Sequence, residues 1–113
     1  MPDSKPEIQY DDFAKVDFRI GTVVAAEPIE GADKLIKCTI DFGEFGTRTI
    51  VSGIKEWKTP EELVGKQLPY IVNLAPRMLR GVESQGMLLA ASDEEGVALL
   101  QPERKVPPGT KLK

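Results

Sequence analysis

The residues best suited to chemistry gather in one segment of the chain. Arg77 and Arg80 lie three apart across Pro76 and Gly81, in a stretch with no acid before Glu83. A guanidinium offers a planar fork of donors that matches phosphate oxygens two at a time, so the pair points to phosphate recognition. The same spacing also fits two solvated or salt-bridged arginines. Ser84-Gln85-Gly86 follows, with two hydrogen-bonding side chains at a strand entry where glycine permits close backbone approach. A turn that satisfies its own backbone is the other reading there. Lys34 stands at the entry of a β pattern and is a further phosphate candidate; Lys37 and Arg48 share its chemistry but suit ordinary outward charges as well. Asn73 opens the segment, where its amide can meet a ribose or its own backbone.

Other chemistries are missing their parts. The chain has no histidine and one cysteine, so serine–histidine and cysteine–histidine pairs, HExxH motifs and an internal disulfide all fall away. Neither GxGxxG nor GxxxxGK[ST] occurs, and no carboxylate pair has a supporting constellation. The expectation is a non-catalytic protein without a cofactor. Net charge is −3, and residues 1–12, with four acids against one lysine, account for all of it. The neutral remainder still allows a basic stripe, because acids are gathered elsewhere, as in Asp93-Glu94-Glu95. No apolar run is long enough for a membrane span, and the acidic start is unlike a signal peptide, so a cytoplasmic location is expected.

The elements that must position these residues are short strands punctuated by glycine and proline. Alternation predicts a strand over 17–27 with Val16, Phe18, Ile20, Val24 and Ala26 on one face. A loop is expected over 28–33, then a strand over 35–42 burying Ile36, Cys38, Ile40 and Phe42. A turn at Gly43–Gly46 leads to a β-branched strand over 47–52. Thr59-Pro60-Glu61-Glu62 is a helix start, with an N-cap threonine, proline at the first position and acids in the first turn. Strands over 67–72, 86–91 and 97–100 complete the set. Trp57, among Lys55, Glu56 and Lys58, is taken as a lid on the barrel's end, a stacking platform being the alternative. Such a chain is expected to be all-β: an OB-fold, a five-stranded Greek-key barrel with a short helix between strands 3 and 4 and extra N- and C-terminal segments.

The run Asn73–Ala90, with Arg77, Arg80, Ser84, Gln85 and Met87 in it, resembles the signature of the tRNA-binding domain at the C-terminus of many methionyl-tRNA synthetases. The same domain belongs to the endothelial-monocyte-activating-polypeptide family and to stand-alone tRNA-binding proteins. Asp17-Phe18-Arg19-Ile20-Gly21, Ala32-Asp33-Lys34-Leu35, Arg48-Thr49-Ile50-Val51-Ser52-Gly53 and the closing Pro108-Gly109 carry the resemblance in order, from about residue 12 to the end. It implies an acidic tail over 1–11 and a tRNA-binding OB-fold domain over 12–113. It also implies shape recognition of tRNA through Lys34, Asn73, Arg77, Arg80, Ser84 and Gln85, a homodimer, and methionyl-tRNA synthetase as a partner. The segment Ile29-Glu30-Gly31 departs from the His-Pro-Asn of many relatives and adds an acid to the first loop. A secretion chaperone that binds polypeptides on the same fold is the alternative function; such chaperones look degraded in the block that this chain keeps as Glu83–Leu89.

Overall fold

The structure, a computed structural model, describes residues 3–113. A short helix α1 (Tyr10–Ala14) crosses residue 12 and leads into β1 (Phe18–Ile29), β2 (Ala32–Asp41) and β3 (Thr47–Ser52). After α2 (Pro60–Leu63) come β4 (Gln67–Ile71), β5 (Arg77–Leu79), β6 (Val82–Ser84), β7 (Met87–Leu88), β8 (Ala90–Asp93) and β9 (Gly96–Leu99). Five strands form one antiparallel sheet in the order β3-β2-β1-β4-β7, with α2 between β3 and β4; β5–β6 and β8–β9 are separate two-stranded ribbons. This is an OB-like barrel.

β1 is long because it serves two partners, β4 along its first half and β2 along its second. The register slips between Val23 and Ala25, a bulge that reverses which side chains face inward. Val23 is therefore buried and Val24, expected on the apolar face, is 48% exposed. The loop expected over 28–33 is also absent. β1 and β2 run on to a two-residue turn at Glu30-Gly31, because Ile29 and Ala32 have apolar neighbours to bury against. The strand expected over 86–91 divides into β7 and β8 at Leu89.

Tyr70, Phe42, Ile36, Ile40, Ile50, Leu63 and Leu68 fill the barrel, with the Phe42 ring edge-on to Tyr70 at 5.6 Å. Cys38 lies in this core, and burial pushes its thiol up to about 11, where it stays protonated and unreactive. Thr59 caps α2 as its sequence predicts: Oγ1 accepts from Glu62 N–H while Glu62 Oε1 accepts from Thr59 N–H at 2.6 Å. That cap turns Leu63 into the barrel floor. The last residues run back beside β1, where Gly109 N–H donates to Ile20 O and Leu112 N–H to Phe18 O. Arg19 secures this strap by pairing with Asp17 at 3.1 Å and donating to Gly109 O.

Candidate nucleic-acid interface

Residues 77–84 form a hairpin, and 73–76 lead into it without regular structure. Three-residue strands β5 and β6 meet at Arg80-Gly81, both with positive φ (51° and 80°), the backbone of a type I′ turn. Among the described residues Arg80 is the one non-glycine in that region. Asparagine or aspartate is the usual occupant of its place, so an arginine there carries backbone strain. Beneath it a second apolar cluster forms: Leu79 and Val82 pack on Ile29, Ala32, Val51 and Leu35. β3 buries both faces here, Ile50 into the barrel and Val51 under the hairpin.

Polar groups fix the roots of the hairpin. Arg48 donates from one nitrogen to Val72 O and to Gln85 O, so a single guanidinium holds both ends of the excursion. Its sequence neighbourhood suggested an outward charge; instead it is half-buried. Ser84 is 4% exposed, its hydroxyl accepting from Val51 N–H at 2.9 Å and donating to Gly86 O. Gln85 Oε1 accepts from Thr49 N–H at 2.9 Å, and its own N–H donates to Thr49 O. These two residues close the barrel against β3, because unpaired strand N–H groups must find acceptors. Of the two readings of Ser84-Gln85-Gly86, the hydroxyl's partners here are those of a segment that satisfies backbone groups. Asn73 is likewise occupied: Oδ1 accepts from Asp17 N–H and Nδ2 donates to Lys15 O, which ties the N-terminal arm to the hairpin root.

The cations remain outside. Arg77 and Arg80 are exposed, and among the described residues neither lies within ion-pair distance of a carboxylate. They do not share one fork. Arg80 lines a cleft of about 420 Å³ with Lys34 and Asp33. Lys34 lies 4.0 Å from Glu56, an exposed pair too weak to tie it down. On the other flank of the turn, Lys37, Thr49 and Gln85 line a groove of about 360 Å³ together with the acid Glu83. Lys37 pairs with Glu27 at 3.4 Å; only the tertiary fold brings it beside the hairpin. Arg77, at the far end of β5, borders a third groove of about 540 Å³, walled by Trp57, Leu35, Ile54, Met87 and Val97. Trp57 stands at this groove with 45% of its surface exposed. Among the described residues no three His, Cys, Asp or Glu side chains gather to hold a metal ion, and no helix is long and apolar enough to cross a membrane.

A chain so built can hold an anionic polymer against a hairpin that presents Arg77 and Arg80. Known proteins agree with that picture. A family profile described as "Putative tRNA binding domain" matches residues 18–111. Methionine–tRNA ligases of Deinococcus radiodurans and Methanococcoides burtonii are each 52% identical over 107 residues, 94% of this chain. The chain spans 16% of the length of these relatives. The crystal structure of a MetRS-related protein from Pyrococcus horikoshii superposes with TM-score 0.89 at 43% identity, covering 96% of this chain and all of that one. The CsaA chaperone of Bacillus anthracis superposes with TM-score 0.87 at 35% identity, over 96% of this chain and all of its own.

Proposed function

Because the chain belongs to the tRNA-binding domain family, we propose that it is a non-catalytic tRNA-binding module that reads the shape of tRNA and serves a methionyl-tRNA synthetase, as a β subunit or a trans-acting domain. The observation that supports this best is the hairpin. Its turn sets Arg80 across a cleft from Lys34 and its base sets Arg77 beside a second groove, on a unit held by Arg48, Ser84 and Gln85. Arg77, Arg80 and Lys34 contact phosphate, with Lys37 and the Gln85 amide beside them. Ser84 and Asn73 act by positioning. The domain covers 12–113 with an acidic tail before it, works in the cytoplasm, and forms a homodimer that aligns two such surfaces.

Phosphate contacts release counterions, so affinity for bulk tRNA falls steadily with salt. Arg77→Ala and Arg80→Ala each weaken binding about tenfold or more across all tRNA species and lower the log–log salt slope by about one, read by gel shift. Unchanged affinity and slope in the double variant would sink the reading. A polypeptide-binding chaperone is the second reading, favoured by the apolar groove beside Arg77. Retention of an unfolded polypeptide together with indifference to tRNA selects it. Sedimentation of a single-chain particle at micromolar concentration removes the dimer.

A further inference from the structure

We propose that the groove between Trp57 and the base of the hairpin is a stacking subsite for one unpaired base of the bound tRNA, an inference that rests on the tRNA-binding reading above. The indole packs against its neighbour Gly96. Its five-membered ring rests on Gly96, where a Cβ would come within 2.3–3.0 Å of three ring atoms, so only glycine lets the ring settle there. The side chain keeps 45% of its surface exposed and lines a groove of about 540 Å³, a volume that can take a planar base. Leu35, Ile54, Met87 and Val97 supply apolar walls that keep water from competing for the ring face. Base–aromatic stacking needs these features and tolerates any base, in keeping with recognition by shape.

Charge decides between RNA and an apolar peptide segment. Arg77 stands on the hairpin side of the groove with no carboxylate partner among the described residues. Ser92 also lines the groove, and the acidic turn Asp93-Glu94-Glu95 joins it to Gly96 beneath the indole. A nucleotide therefore enters with its phosphate on Arg77 and its base directed at Trp57, since the reverse pose sets phosphate against three acids.

Trp57 is the chain's one tryptophan, so its emission reports on this groove alone. Bulk tRNA titrated into the unmodified protein should quench that emission in step with the gel shift. Trp57→Leu should weaken tRNA binding about five- to tenfold at unchanged salt slope, because stacking releases no counterions. Trp57→Phe should recover most of that loss, and Arg77→Ala should lower both the quench and the slope. A complete gel shift with unchanged emission overturns the subsite and leaves tRNA binding standing. Emission that responds to an unfolded polypeptide, or to dilution of the protein alone, but not to tRNA gives the groove to a peptide or to a second copy. Absence of any tRNA shift overturns both proposals together.

Discussion

The protein has two apolar cores on opposite faces of one strand, and they hold different things. Ile50 points into the barrel core with Phe42, Tyr70 and Leu63; its neighbour Val51 points into a much smaller cluster under the hairpin. The first is closed and deeply buried, so it decides whether the chain folds. The second is thin and half-covered, and its members Leu79 and Val82 lie on the hairpin itself. The barrel is thus separable from the surface it displays. A change beneath the hairpin can disturb the cations without opening the barrel.

Three substitutions test that separation. Phe42→Ala strikes the barrel core, where the ring is 1% exposed and packs edge-on against Tyr70. It should cost about 3–5 kcal/mol, a large part of the stability of a domain this size, read as a lowered urea midpoint. A midpoint close to that of the unmodified protein would mean the barrel is not the main source of stability. Leu79→Ala strikes the small cluster and should cost only about 1–2 kcal/mol. Circular dichroism should remain that of a folded barrel, while tRNA affinity drops and amide exchange quickens over 77–84. Equal loosening of β2 amides would show that the two cores are one cooperative unit. Arg80→Asn is the smallest and the most telling. It relieves the left-handed turn and should raise stability by about 0.5–1 kcal/mol while weakening tRNA binding. A variant both more stable and equally tight would show that the strain at Arg80 serves no contact.

The sequence made some elements legible because their causes are local. The Thr59 cap, the Pro60 start and the alternation over 35–42 depend on near neighbours, and they stand as expected. The bulge at Val24 has no local signature: it arises from the way β1 must serve β2 and β4 at once. The hairpin was hidden for another reason, since strands of three residues are too short to show a period and Arg-Gly is a poor turn signal. The exposed cations Lys34, Arg77 and Arg80 follow from composition. Ser84, Asn73 and Arg48 do not, because a polar side chain that feeds a buried backbone group is of the same type as one that meets solvent. Only the placement of unpaired strand N–H and C=O groups tells them apart.

The grip of Arg48 on Val72 O and Gln85 O closes the excursion at its base whatever lies between those residues. A loop whose ends are fixed in this way behaves as a cassette. Lengthening it at the Arg80-Gly81 tip adds only a slowly growing closure entropy, about 0.6 kcal/mol for each doubling, and asks nothing new of the barrel. Chains built on this frame therefore have room to change the size and reach of the hairpin while the fold that carries it stays the same.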